Sequence, residues 1–198
     1  MNLWLRFVWL LLACLWRPAL DPRGATSRLF FRVLPTDLDI NLHMNNGRYL
    51  TIMDLGRIDL VLRSGLWRPI WRHGWAPTIG AVVIRYRQEL RPFELFRLET
   101  RLAAWSDSIA VMEQTFVIAS GPRRGRVAAR ALIKAGFYDR RKRTQVPVKR
   151  LVAGLGLSEA ASASPPFTAE IEAFLAADAA LRHARPEAAM ANGSSGRA

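Results

Sequence analysis

The sequence predicts an α+β domain in which one long antiparallel sheet wraps around a single buried helix. Tyr49, Leu50, Ile52, Met53, Leu55, Ile58, Leu60, Val61 and Leu62 make one helix apolar on most of its circumference. Asp54, Arg57 and Arg63 supply it with little polar surface, and a helix apolar all round is a buried one. Four β-like runs follow, Ile79–Leu90, Leu95–Trp105, Ile109–Ala119 and Arg126–Asp139, with no helical pattern between them. Parallel strands need crossovers of a dozen residues or more, so these neighbours are antiparallel.

In chain order, residues 1–20 open with an apolar run, Phe7 to Trp16, bounded by Arg6 and by Arg17-Pro18. Ten helical residues span about 15 Å, short of a hydrocarbon core of about 30 Å, and adding Leu3 to Leu5 leaves the run marginal as a membrane span. Pro18-Ala19-Leu20 makes a poor cleavage site for a signal peptide. Trp4, Trp9 and Trp16 with flanking Arg suit a helix lying at a membrane–water interface. A helix packed on its own domain is the plainer alternative.

Arg28–Leu34 is β-prone and stops at Pro35. A polar loop separates it from the buried helix, which ends at Ser64-Gly65. Residues 66–78, rich in Pro, Gly and Trp, read as a connection. Arg91-Pro92, Ser106-Asp107 and Ser120-Gly121-Pro122 mark turns between the long strands. Thr168-Ala169-Glu170-Ile171 starts a last helix that runs to about Arg182, and the Ala-, Gly- and Ser-rich chain beyond His183 reads as a disordered tail. The expected organisation is a hydrophobic segment at 1–21, one domain at 22–150 and an extension at 151–198.

Composition narrows the chemistry. The net charge of +13 favours anionic partners such as a phosphorylated substrate or an anionic membrane surface. No reader module for nucleic acid is recognisable, so nucleic acid is not an expected partner. Cys14 is the sole cysteine and the three histidines, His43, His73 and His183, lack ligand spacing. That excludes an internal disulfide and argues against zinc.

The loop before the buried helix concentrates the polar groups. Asp37-x-Asp39-x-x-x-His43-x-Asn45-Asn46-x-x-Tyr49 resembles the helix-entry signature of hotdog-fold acyl-CoA thioesterases of the 4-hydroxybenzoyl-CoA thioesterase type. The longer string from Arg32 to Asp39, running into Leu42-His43-Met44-Asn45-Asn46, is similar to the member 6-like branch of the thioesterase superfamily. The similarity covers roughly residues 28–145. It implies a hotdog fold, an acyl-CoA substrate, and a homodimer or tetramer, because hotdog sites generally form between subunits; no cofactor and no metal are expected.

Thioester cleavage needs a carboxylate to activate water or attack the carbonyl, and fixed donors for the oxyanion. The resemblance points to the second acid of the pair, Asp39, as catalytic, with His43 and Asn46 beside it. The backbone amides of Asn46 and Gly47, at the head of the helix, would polarise the carbonyl. Asp37 reads as a loop anchor, Asn45 and Asn46 as helix caps, Tyr49 as core packing, and Asp54 as a second acid or as half of an ion pair with Arg. His43 orients Asp39 or a water, or holds loop carbonyls. Arg85, Arg87 and Arg91 are candidates for the CoA phosphates. The chain departs from many relatives at Leu42, where they have Gly, and so gives up backbone freedom in a tight loop. The expected function is acyl-CoA hydrolysis in the cytoplasm, peripheral to a membrane through residues 1–20. A non-catalytic acyl-binding or scaffold protein of the same fold is the alternative.

Overall fold

The computed structural model describes residues 2–21, 24–153 and 163–183. The chain divides into two compact units, Met1–Pro166 and Phe167–Ala198. The described part of the second is one helix, α5 (Ala169–His183), close to the predicted span. The tail predicted to be disordered, after His183, lies outside the described residues.

The first unit is built on β1 (Ser27–Arg32), β2 (Trp75–Tyr86), β3 (Leu95–Trp105), β4 (Ala110–Ile118), β5 (Val127–Asp139) and the short β6 (Thr144–Val146). The curled sheet runs in the order β1-β3-β4-β5-β2, with β6 on β5, and every pairing is antiparallel. Against it lies α2 (Asn46–Arg63), whose Tyr49, Ile52, Met53, Leu55, Gly56, Asp59 and Leu60 are buried. Its apolar positions meet Phe96, Leu98, Phe116 and Ile133 in one core. This is the predicted sheet around one helix, the hotdog architecture.

Two boundaries differ from the sequence reading. The connection predicted at 66–78 contains a helix, α3 (Trp67–His73), and β2 starts at Trp75 rather than Ile79. Pro69 falls in the first turn of α3, where its missing N–H is not needed. Gly74 then ends the helix at φ 69°. Pro77 is tolerated because β2 is an edge strand with a free side. A further short helix, α4 (Val148–Ala153), follows β6.

The N-terminal helix α1 (Asn2–Cys14) packs on this unit by one stripe: Leu3, Phe7, Leu10 and Cys14 meet the core, and Leu10 is fully buried. Two arginines reach inward from the same segment. Arg6 Nη2 donates to the Arg32 carbonyl (2.9 Å) and Arg17 Nη2 to the Arg28 carbonyl (2.7 Å), so the segment caps carbonyls of edge strand β1. Arg17 Nη1 also pairs with the buried Asp59 at 2.7 Å, where Ser27 and Arg63 converge. Burial, reinforced by Asp59, pushes the Cys14 thiol up to about 11, which keeps it protonated and unreactive. The opposite face of α1 is exposed and apolar, with Trp4, Leu5, Trp9 and Leu12, and Leu15 and Trp16 continue it beyond the helix. Among the described residues no helix is long and apolar enough to cross a membrane.

Candidate functional site

The loop between β1 and α2 folds back on itself. After a 3-10 turn at Pro35–Asp37, Leu38 and Met44 pair as an isolated antiparallel bridge. The Asp39 N–H donates to the His43 carbonyl (3.0 Å), the Leu42 N–H to the Asp39 carbonyl (3.1 Å) and the Asn45 N–H to the Asp37 carbonyl (2.9 Å). Those bonds lay the Asp37–Asp39 backbone beside the head of α2.

The two carboxylates of the Asp-x-Asp pair have different surroundings. The Asp37 side chain is wholly buried. Its Oδ2 accepts from Arg6 Nη2 at 2.6 Å and from the Leu34 N–H at 2.9 Å, while Arg48 Nε stands 3.2 Å from Oδ1. All of these contacts tie Asp37 into the fold, and one of them comes from α1. Asp39 keeps 18% of its side chain exposed, enough for a water or a carbonyl to reach it. Its Oδ1 accepts from the Asn41 N–H (2.9 Å), and Oδ2 lies 3.5 Å from His43 Nδ1, a distance that orients rather than bonds strongly.

Leu42, the departure noted in the sequence, sits at φ 57° in the left-handed region and is 70% exposed. A side chain costs roughly 1–2 kcal/mol there, and an exposed one returns little through packing. Leu42→Gly is therefore expected to stabilise the protein by about 0.5–1 kcal/mol after the entropy of glycine is deducted. A denaturant melt checks this, and an unchanged or lowered midpoint counts against strain at this position.

Asn45 is the N-cap of α2, and its side chain accepts the Gly47 N–H at 2.8 Å. This corrects the expectation that the Gly47 amide is available to an oxyanion, because the capping carboxamide already takes that donor. The Asn46 N–H remains, in the first turn where backbone donors lack helical acceptors. Tyr49 is core, edge-on to Tyr86 and Phe116, and burial raises its hydroxyl well above the usual range. Asp54 lies two turns further along, ion-paired with Arg57 and largely exposed.

Tyr86 Oη donates to the Asn46 carbonyl (3.1 Å), so the end of β2 stands beside the head of α2. Arg85 and Arg87 flank that tyrosine, exposed, and have no carboxylate partner among the described residues. Arg91 is exposed but pairs with Glu89 at 2.9 Å. That pairing, helped by Arg123 and His43, holds the Glu89 carboxyl below its usual range. Sequence reasoning missed Glu89 at this rim, and it missed the ties of Arg6 and Arg17 to α2 and its loop. The signal for the last two was present: an Arg interrupting or ending an apolar run needs a carboxylate once that run is buried. Among the described residues no cluster of His, Cys, Asp and Glu could hold a metal ion.

A curled antiparallel sheet around one buried helix, with a carboxylate loop folded over the helix head, defines a hotdog-fold protein. The chain belongs to the thioesterase-like superfamily, whose family model matches residues 33–175. It is 44% identical to Protein THEM6 of Xenopus laevis over 85 residues, 43% of this chain and 41% of that one. Protein THEM6 of Danio rerio is 35% identical over 113 residues, 57% of this chain and 56% of the relative. The chain thus spans about half the length of these curated relatives. Among solved structures, YbaW, a probable thioesterase from Escherichia coli, superposes with a TM-score of 0.59 at 22% identity, covering 65% of this chain and 94% of that one. Slr0204, a 1,4-dihydroxy-2-naphthoyl-CoA thioesterase from Synechocystis, gives 0.55 at 12% identity, covering 66% and 95%. At these identities the likeness is one of fold.

Proposed function

We propose that the protein hydrolyses acyl-CoA thioesters at the 38–46 loop, with Asp39 as general base. The supporting observation is the contrast between the two acids: Asp37 is consumed by the fold, whereas Asp39 is oriented by His43 and the Asn41 amide and stays reachable. Water attacks the thioester carbonyl while Asp39 takes its proton. The oxyanion faces the Asn46 N–H and the positive end of α2. Collapse breaks the C–S bond, and the proton held by Asp39 passes to the departing CoA thiolate. Direct attack by Asp39 would give an anhydride that water then cleaves, and the same residue is essential either way. Arg85 and Arg87 supply cations for the CoA phosphates at the rim. Hydrolysis by water needs no cofactor.

Asp39→Asn keeps the shape and the bond from Asn41. Hydrolysis is expected to fall by about 10²–10⁴-fold, the usual contribution of a general base, with the melting temperature unmoved. Full turnover in Asp39→Asn would overturn the assignment. Acyl-CoA binding in the wild-type protein without turnover would select the non-catalytic reading instead.

Two further readings complete the proposal. The protein is a homodimer joined along β2: Arg6 and Arg17 cover carbonyls on the β1 edge, whereas the twelve-residue β2 edge is open and exposes Ile79, Val82, Val83 and Tyr86. The outward face of α1 rests on an anionic lipid surface, with tryptophans at the depth they favour. Deleting residues 1–20 is a poor test, since it also removes Leu10 and both arginine ties. Trp4, Trp9 and Trp16 replaced together by Ser is expected to lose flotation with anionic liposomes and to keep the fold; retained flotation defeats the reading.

A further inference from the structure

Between the second half of α2 and the sheet, closed at one end by α4, lies a cavity of about 370 Å³. It is within the size range of small-molecule sites. Its wall is largely apolar: Leu62, Trp105, Met112, Phe137, Val148 and Leu151 line it, and all but Leu62 are buried. On the α2 side the lining carries polar tips on Asp54, which is exposed and marks the mouth there, and on Arg57, which is half-buried; on the β2 side Pro77, Thr78 and Ile79 are exposed. Arg57 is fixed there by Asp54 and by Gln114 Oε1 at 2.9 Å.

We infer that this cavity takes the distal, unbranched aliphatic part of a long-chain acyl group whose thioester lies at the head of α2. The inference rests on the acyl-thioesterase reading above and names its substrate class. Two arguments carry it. A hydroxylated aromatic acyl group would bury hydroxyls against a wall in which the Trp105 indole is the one side chain with an N–H, whereas an alkyl chain leaves nothing unsatisfied. The second is a matter of length. Asp54 stands eight residues beyond Asn46, which is about 12 Å along the helix at 1.5 Å per residue. An extended chain advances about 1.2 Å per atom, taking one third of the roughly 3.5 Å that a residue spans. About ten carbons are therefore spent before the mouth, and only longer chains gain the apolar burial within.

Small residues keep the cavity open. Ala110 and Ala135 face each other across β4 and β5, and both line it. A leucine at either position would fill the space that the chain end occupies.

The test measures kcat/KM over butanoyl-, octanoyl-, dodecanoyl-, palmitoyl- and 4-hydroxybenzoyl-CoA, together with equilibrium binding of free palmitate, for the wild type, Ala135→Leu and Ala110→Leu. Wild-type kcat/KM is expected to rise at least tenfold from octanoyl to palmitoyl and to be lowest for the hydroxybenzoyl thioester. In whichever leucine variant folds, the palmitoyl-to-octanoyl ratio should fall at least tenfold, and palmitate binding should weaken by a similar factor. A wild-type preference for short or hydroxyaromatic acyl groups overturns the inference while leaving the hydrolase reading intact, as does a leucine variant with an unchanged ratio. If no thioester is cleaved but palmitate binds and the leucine variants lose it, the cavity assignment stands and the hydrolase reading falls.

Discussion

Asp37→Ala is expected to destabilise the protein by about 3–5 kcal/mol, the cost of leaving a buried cation without its partner. The carboxylate is inaccessible to solvent and satisfies Arg6, the Leu34 amide and Arg48. The Arg6 side chain is only 10% exposed, so truncation strands its charge beside Phe31, with the Arg32 carbonyl as its remaining acceptor. For a domain of this size the loss corresponds to a fall in melting temperature of roughly 10 °C or more. Hydrolysis should vanish with it, because Arg6 and the Leu34 and Arg48 contacts hold the base of the loop that carries Asp39. The comparison with Asp39→Asn, two residues away, is the informative one: the first variant should lose fold and activity together, the second activity alone. A thermal melt of both variants decides it. If Asp37→Ala melts within two or three degrees of the wild type, the anchoring role assigned to Asp37 is wrong.

The same contrast shows what the amino-acid sequence could and could not reveal. The buried helix, the long strands and their antiparallel order were legible because periodicity and apolar run length depend on local chemistry alone. The loss of backbone freedom at Leu42 was legible too, from the missing glycine, but not that Leu42 itself takes the left-handed conformation. The docking of α1 was not. A helix apolar on every face declares that it is buried against something, but not which stripe meets protein and which is left outside. Arg6 and Arg17 read as flanking charges because their partners, Asp37 and Asp59, lie 31 and 42 residues away. Asp59 in particular sits in the most apolar turn of α2, where a carboxylate has to be matched by cations from elsewhere. The Gly47 amide was misassigned for a subtler reason: a cap and an oxyanion site want the same donors, and only coordinates say which took them.

Gly56→Ala is the second large effect, and its sign runs against helix propensity. In the middle of α2, alanine should be favoured over glycine by about 1 kcal/mol. Here an added Cβ would stand 2.7 Å from Gln114 Nε2, 2.8 Å from Leu98 Cδ2 and closer still to Thr100 Oγ1. These are not loose surface groups. Gln114 is fully buried, donating to the Met53 carbonyl (2.9 Å) and to Thr100 Oγ1 (2.8 Å) while it accepts from Arg57. Making room for the methyl means breaking a buried hydrogen bond, at about 1–3 kcal/mol, and overpacking a filled core, at about 1–3 kcal/mol more. With the propensity gain deducted, the net loss expected from a urea melt is about 1–5 kcal/mol. Thr100→Ala in the same chain removes the nearest obstacle, so the double variant should be more stable than the two single losses predict, by more than about 1 kcal/mol of coupling. Additive losses would mean that Gly56 is required for some reason other than its approach to β3 and β4. The network also bears on the inferred acyl cavity, because Gln114, together with Asp54, fixes Arg57 in its lining. A Gly56→Ala protein that still folds should therefore also lose discrimination between long and short acyl chains.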